Sequence, residues 1–526
     1  MEIGSMYEIN PALVKPEGAE PGRESGAAEI AGVAKYGRKY CRYTASGREA
    51  ITLALRSLEQ NRPWIPKRCL LPAYMCDSVF FPFEQQGWEL HFYHVNKELA
   101  AEEGELLRRM EQARPGLLFI HPYYGVDTWK QMRSLFSEWR KQGVCIMEDV
   151  TQSYYLHTAG LGADYVVGSL RKWYPVPDGG FVVSDEKLWD GALEDAEVYA
   201  GVRQEIQIQK WEYLNGQGSR AEKRDQKSEY LKRNREMEAE LDHYTGVRGM
   251  SEKTVWIMGG EDEAGAEERR SANCRYLDEK LQGKKSFVPV LQFGDISGRQ
   301  EPAAKKGEKA DNTGVIGTGE AAPLYYPVYA KNREELQHFL GARGIFAPVL
   351  WLVGKENRDC LSEDETYIYE HLLALPMDQR YGKEEMQYIA GVLEEYERHS
   401  IMESGADRRQ AEQGKENPEE EWKQPKDSGE PLTGIRADAN ETVAMGHIMR
   451  CITIAEQLKQ KGSRVLFFYR RRICSRMAGA GRDGICLSSY KMEPYGGGNH
   501  AAAGRTEESG LRKAAGGFLS GRQGIF

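Results

Sequence analysis

Gly168-Ser169-Leu170-Arg171-Lys172-Trp173-Tyr174-Pro175 follows closely on Ile146-Met147-Glu148-Asp149-Val150-Thr151-Gln152, and each stretch opens on or just after a short apolar run. The runs are Val144-Cys145-Ile146-Met147 and Tyr165-Val166-Val167, and others like them occur at Cys69-Leu70-Leu71, Leu117-Leu118-Phe119-Ile120 and Phe181-Val182-Val183. Helical segments lie between them, among them Arg48 to Leu58, with Ile51, Leu53, Leu55 and Leu58 on or near one side, and Met132 to Lys141. Short continuous apolar runs alternating with helices predict an α/β fold of buried parallel strands joined by crossover helices. Asp149, directly after its run, then falls at the carboxyl end of a strand, where such sheets present side chains to a ligand crevice.

Together the two stretches hold a lysine, an acid, an amide and a hydroxyl, the set needed to hold pyridoxal phosphate (PLP). Most lysines are solvated surface charges, so Lys172 counts only through its context. A carboxylate beside the pyridine nitrogen favours its protonated form, the role open to Asp149; the alternative is a turn or helix-capping residue. Gln152 can hydrogen-bond the ring hydroxyl oxygen. Lys172 would carry the Schiff base and, once freed by a substrate amine, move a proton between substrate and cofactor carbons. Ser169, three residues earlier, can reach the phosphate, and Asp178-Gly179-Gly180 gives the backbone a tight turn. Ser46-Gly47-Arg48 opens a helix whose first amides, at Gly47 and Arg48, form a ready phosphate cradle.

Composition narrows the field further. The 526 residues are too many for one small core and suggest roughly two to four domains. The net charge of -9, with basic residues spread through helical segments, points to no nucleic acid and no anionic membrane. Nine cysteines lie scattered without CxxC pairs or His-Cys clusters, so neither a metal site nor a disulfide framework is expected. No signal-like segment opens the chain and no apolar run of about 20 residues is present, giving a cytoplasmic reading.

The expected organisation is a flexible segment over 1–35, a cofactor-binding large domain over 36–250 and a small domain over 251–400. Residues 186–241 form a highly charged, helical excursion, read as solvated. Residues 401–431, charged and poor in apolar side chains, read as a disordered linker. A partial β-loop-α-β unit occupies 432–469, and the tail over 470–526 lacks periodicity. Gly479-Ala480-Gly481-Arg482-Asp483-Gly484 fits GxGxxG but follows no strand, and is read as chance.

Thr44-Ala45-Ser46-Gly47-Arg48-Glu49-Ala50, Leu71-Pro72-Ala73-Tyr74, His121-Pro122-Tyr123-Tyr124-Gly125, Glu148-Asp149-Val150-Thr151-Gln152-Ser153 and Gly168-Ser169-Leu170-Arg171-Lys172 resemble, in order, blocks of the DegT/DnrJ/EryC1/StrS aminotransferases. The resemblance spans roughly 36–398. It implies a fold type I PLP-dependent transferase, many of whose members aminate nucleotide-linked keto sugars. It also implies Lys172 as Schiff-base lysine, Asp149 as pyridinium partner, Gln152 near the ring oxygen, and Ser169 with the Gly47 and Arg48 amides on the phosphate. Two departures stand out: the loop Pro175-Val176-Pro177-Asp178-Gly179-Gly180, and the ring-stacking position, where Cys76 falls and Tyr74 and Tyr124 are candidates for stacking or substrate contact. The implied partners are a small-molecule amino donor, a keto-sugar nucleotide and a second copy of the chain in a homodimer.

Ile435-Arg436-Ala437-Asp438-Ala439-Asn440 and Ala444-Met445-Gly446-His447 resemble the start of PseG-type nucleotide-sugar hydrolases of GT-B architecture. There His447 would match the base that activates water. Only 434–468 matches, so hydrolysis is not expected, and the tail has the composition a shifted reading frame produces. The rival readings are a PLP-dependent sugar dehydratase, which the presence of Lys172 disfavours, and a non-catalytic binding or regulatory protein on the same fold.

Overall fold

The structure, a computed structural model, describes residues 2–14, 30–241, 244–291, 322–354, 356–413, 432–436, 464–469 and 486–488, with backbone alone at 31, 32, 240 and from 401 onward. The chain divides into two units, Met1–Lys415 and Glu416–Phe526.

The first unit opens with strand β1 (Ile3–Gly4) and helix α1 (Ala31–Ala34), then β2 (Tyr40–Thr44) and α2 (Gly47–Asn61). The chain continues through β3 (Arg68–Pro72), α3 (Phe80–Gln85), β4 (Glu89–Tyr93), α4 (Glu103–Ala113), β5 (Leu117–Ile120) and α5 (Phe136–Lys141). Then come β6 (Cys145–Asp149), β7 (Tyr165–Ser169) and β8 (Gly180–Ser184). Seven of these strands form one sheet in the order β2-β8-β7-β6-β5-β3-β4. It is parallel throughout except for β8, which runs antiparallel to both its neighbours. The expected α/β class and mostly parallel sheet are both present.

Why the central strands are apolar at every position follows from burial on both faces. Leu118, Ile146, Val166 and Val183 belong to one apolar cluster, while their neighbours Leu117, Cys145, Val167 and Val182 belong to the other, with the α2 residues Ile51, Leu55 and Leu58. Alternate side chains leave opposite faces of a strand, so both sets must be apolar. The edge strands β2 (Tyr-Cys-Arg-Tyr-Thr) and β4 (Glu-Leu-His-Phe-Tyr) are only half-buried, and their mixed composition carries no such signal.

After β8 come α6 (Glu197–Asn215) and α7 (Arg220–Leu241), the charged excursion. It is not simply solvated: Ile206, Tyr230 and Met237 are buried together, with Met6, Tyr199, Tyr213 and Leu231 packed around them. The small domain follows as α8 (Glu252–Met258), α9 (Glu263–Leu281), β9 (Phe287–Pro289), β10 (Tyr326–Ala330), α10 (Arg333–Gly341), β11 (Ile345–Phe346), α11 (Glu363–His371), β12 (Leu372–Leu375) and α12 (Lys383–Gln413). Strands β12-β10-β9 make an antiparallel sheet, and β11 pairs in parallel with β1, so the first residues belong to this part of the fold. Helix α12 runs on into the stretch expected to be linker, because Met402 to Gln413 is rich in strong helix formers and free of proline. Residues 414–431 lie outside those described.

In the second unit β13 (Leu432–Arg436) pairs in parallel with β14 (Arg464–Tyr469), as the β-loop-α-β reading requires. A further strand, β15 (Cys486–Ser488), pairs antiparallel with β14, within a tail in which no strand was expected. Three apolar or small residues are too short a run to show periodicity. His447 lies outside the described residues.

Arg270 of α9 joins the parts of the first unit. Its side chain is fully buried, donating to the carbonyls of Pro323 and Leu324 at 3.0 and 3.1 Å, to Tyr7 Oη at 2.7 Å and to Gln379 Oε1 at 2.8 Å. The guanidinium also lies over the ring of Trp173, 4.6 Å from its centroid, next in sequence to Lys172. A buried cation held by neutral oxygens and a π face depends on every partner. Arg270→Met is therefore expected to lower the stability of the first unit by about 3 kcal/mol through the unpaired oxygens it leaves. Arg270→Lys should recover less than half, since an ammonium cannot reproduce the planar fork. Urea unfolding followed by tryptophan emission measures both.

Candidate active site

Strands β6 and β7 end side by side, Asp149 pairing with Val167 in register, and their carboxyl ends deliver Asp149 and Ser169 to one edge of the sheet. Asp149 is buried and its two oxygens have different work. Oδ1 accepts from the Thr151 amide at 2.9 Å, closing the turn that follows the strand, and Oδ2 lies 3.2 Å from His121 Nδ1. One carboxylate thus closes the turn and meets His121. Its neighbour Glu148 points elsewhere: it is fully buried and held by Arg133 at 2.9 Å on both oxygens, which anchors the strand.

Gln152 is buried, and its Oε1 accepts the Tyr124 amide at 3.1 Å. That bond fixes which way the side-chain amide faces, and its nitrogen makes no hydrogen bond among the described residues.

Ser169 and the start of α2 meet through glycines. Ser46 caps α2 by accepting the Glu49 amide at 3.2 Å, which leaves the first amides of the helix, Gly47 among them, outside the helical ladder. A Cβ on Gly47 would stand 3.2 Å from the Ser169 Cβ and 3.6 Å from the Gly168 oxygen, so the helix start and the end of β7 are nearly touching. Gly180 pairs with both Thr44 and Ser169, and a Cβ there would lie 2.2 Å from the Ser46 oxygen. Only glycine permits this approach. The Arg48 side chain turns away toward the Leu241 carbonyl, so only its backbone belongs to this cradle.

Lys172 ends the short 3-10 turn Leu170–Lys172 that follows β7. Its side chain is exposed to water. Loss of solvation, then the Arg171 guanidinium, push its ammonium below the ordinary lysine range. Cys76 is close enough for the two groups to affect one another, and burial pushes its thiol up. Tyr74 is buried among Trp351, Tyr369 and Tyr123, at ring distances of 4.8, 5.0 and 5.5 Å. Tyr124 is also fully buried, at φ 53°, with its hydroxyl unpartnered among the described residues.

Two residues were not singled out by sequence. His121 links Asp149 to the aromatic cluster, 5.7 Å from Trp351, and its buried Nε2 has no partner among the described residues. Its place in the block His121-Pro122-Tyr123-Tyr124-Gly125, at the end of β5, was the available signal. Asp178 explains the unusual loop after Lys172. It is fully buried and accepts from the Ser251 amide at 2.8 Å, from Ser251 Oγ at 2.7 Å and from Thr254 Oγ1, which ties that loop to the first turn of α8. Burial raises its carboxyl to about 6 against the pull of those donors.

Compared with known proteins, the chain matches no family model and no curated protein. Among solved structures it is similar to the sugar aminotransferase CalS13 from Micromonospora echinospora, at 16% identity over 74% of this chain and 99% of that one, with a TM-score of 0.48. It is also similar to a DegT DnrJ EryC1 StrS aminotransferase from Brucella abortus, at 15% identity, 74% and 91% coverage and a TM-score of 0.45. A third is NtdA from Bacillus subtilis, solved with bound cofactor PMP, at 12% identity, 69% and 74% coverage and a TM-score of 0.47.

The lysine environment is measurable. Because the folded chain releases the Lys172 proton at a lower pH than the unfolded chain, protonated Lys172 costs stability below its folded value. The cost fades as pH rises toward the ordinary lysine range. Competitive acetylation across pH should show Lys172 gaining reactivity at lower pH than Lys187, whose ammonium Asp190 holds above the ordinary value. Coincident profiles would contradict the depressed value.

Proposed function

We propose that this chain is a PLP-dependent aminotransferase that aminates a nucleotide-linked keto sugar, in surface glycan or nonulosonic acid synthesis, and works as a homodimer. What supports the reading is that three separate stretches of sequence converge on one sheet edge: Asp149 ends β6, Ser169 ends β7 against Gly47 at the start of α2, and Gln152 and Lys172 follow three residues after those strand ends.

The residues present fit the cofactor. The space beside Gly47 is a cradle that any Cβ would fill, backed by the Ser169 side chain, and suits a phosphate that must approach backbone amides. Asp149 offers a fixed, buried anion, and Gln152 an amide nitrogen in want of an acceptor. When bound, PLP supplies an electron sink for a carbanion at the amine-bearing carbon.

The chain's own residues then divide the work. Asp149, oriented by His121 and the Thr151 amide, keeps a negative charge where a ring nitrogen must hold its proton. Ser169 Oγ and the Gly47 amide would hold the phosphate end. Lys172 Nζ, depressed below its ordinary value, is more readily the free amine that would hold the cofactor's aldehyde carbon and, once a substrate amine has displaced it, would accept and return a proton at the substrate carbon. An α-amino acid such as glutamate would serve as donor and the keto sugar as acceptor.

Added PLP should give the purified chain a visible absorbance band that borohydride abolishes, leaving the cofactor's mass on the peptide that contains Lys172. Lys172→Ala should show no band, and Asp149→Asn should hold PLP at least about tenfold less tightly, the loss of one favourable charge contact. A wild-type protein that stays colourless with added PLP would overturn the reading. Incubation with glutamate and a panel of nucleotide-linked keto sugars, followed by mass spectrometry, tests the substrate class.

A further inference from the structure

Beside Lys172 lies a set of charges that the proposed chemistry leaves unused. Arg171 Nη1 stands 3.3 Å from Glu238 Oε1, and Arg203 Nη2 pairs with the same oxygen. The side chains of Arg171 and Arg203 are 15% and 11% exposed, whereas that of Glu238 is 43% exposed. A half-exposed carboxylate therefore covers two buried guanidinium groups from the water side.

The two arginines have more donors than this carboxylate can use. Arg171 Nε and Arg203 Nη1 are buried with no acceptor among the described residues, and the hydroxyl of Tyr199 is buried without a partner among them as well. Arg171, Arg203 and Lys172 lie close to Glu238, with Glu49 and Asp178 also acting on Arg171, and Glu49 pairs with Arg248 at 2.8 Å. Buried cations and unfilled donors of this kind call for further oxyanion oxygens.

Glu238 is also placed to leave. It belongs to α7, whose mean hydropathy is strongly polar and whose buried anchors are Tyr230, Met237 and Leu241. Few apolar contacts make local opening of a segment inexpensive.

We propose that Arg171 and Arg203 form an oxyanion site beside Lys172, that Glu238 fills it in the free chain, and that a phosphate or carboxylate of an incoming ligand takes it by displacing Glu238. The ligand's identity rests on the aminotransferase reading: with the PLP phosphate assigned to Ser169 and the Gly47 amide, a phosphate of the nucleotide-linked acceptor and the carboxylate of the amino donor share the required chemistry. Helix α7 then acts as a gate whose own side chain mimics the ligand.

Titration calorimetry on the cofactor-free full chain, with inorganic phosphate and separately with glutamate, tests this. Removing a competitor that occupies the site nine-tenths of the time tightens binding about tenfold. Glu238→Gln should show that gain, and adding Arg203→Met to it should erase the gain. A gain for phosphate alone identifies a phosphate of the acceptor as the ligand group, a gain for glutamate alone the donor's carboxylate, and a gain for both an unselective oxyanion site. No gain for either overturns the proposal.

The unmodified chain supplies a measurement that needs no variant to fold: saturating phosphate or glutamate should speed amide hydrogen exchange over residues 232–241, and unchanged exchange with both also overturns the gate. The borohydride-sensitive PLP band reports separately. A chain with the band but no gain loses only this proposal, and one with the gain but no band loses only the cofactor reading.

Discussion

The site depends on a single backbone approach, that of Gly180 to the Ser46 carbonyl. Strand β8 is the one antiparallel member of the large sheet, inserted between β2 and β7, and its first residue is the register partner of both Thr44 and Ser169. Through that one glycine the start of α2 and the end of β7, more than a hundred residues apart in sequence, come into contact. The parallel strands β5 to β7 would exist without it, since their apolar faces are satisfied by the two clusters. The cradle beside Gly47 would not. Here the geometry of the candidate site is set by a residue with no side chain, and the meeting of the Ser169 hydroxyl with the first amides of α2 follows from where the backbone was allowed to go.

A second dependence runs through the loop after Lys172. Trp173 is pinned by its indole nitrogen to the Thr151 carbonyl at 2.9 Å and covered by Arg270, while Asp178 holds the loop's far end to α8. Lys172 thus sits on backbone clamped on both sides by residues of the helices beyond β8. Motion of that part of the chain relative to the sheet would be felt at the lysine first. The sequence departs from its family resemblance at Pro175 to Asp178, and the structure gives the reason: this loop docks onto α8 by burying a carboxylate.

Much of the fold and most of the candidate site were legible in the sequence, for reasons that can be named. Strands buried on both faces announce themselves as unbroken apolar runs, and β5, β6, β7 and β8 were read nearly to their ends. Site residues near such strand ends, Asp149, Gln152, Ser169 and Lys172, were readable because topology places those ends at a crevice. Edge strands β2 and β4 were missed, since a half-buried strand carrying Arg42 or His91 has no run to show. His121 was overlooked because its importance lies in a bond to Asp149 across 28 residues, which no local pattern encodes. The excursion over 186–241 was read as solvated because charge counts dominate its composition. What decides its packing is three buried side chains, Ile206, Tyr230 and Met237, spaced too widely to form a visible stripe.

The pairing of β1 with β11 has a consequence for how this chain is made. Ile3 is fully buried in the finished fold, but its partner Ile345 leaves the ribosome only after nearly the whole first unit. At ordinary rates of synthesis that interval is on the order of tens of seconds. Throughout it Ile3, Tyr7 and Ile9, all buried at the end, have no completed small domain to enter. Ile3, Tyr7 and Ile9 are therefore apolar side chains made early and covered late.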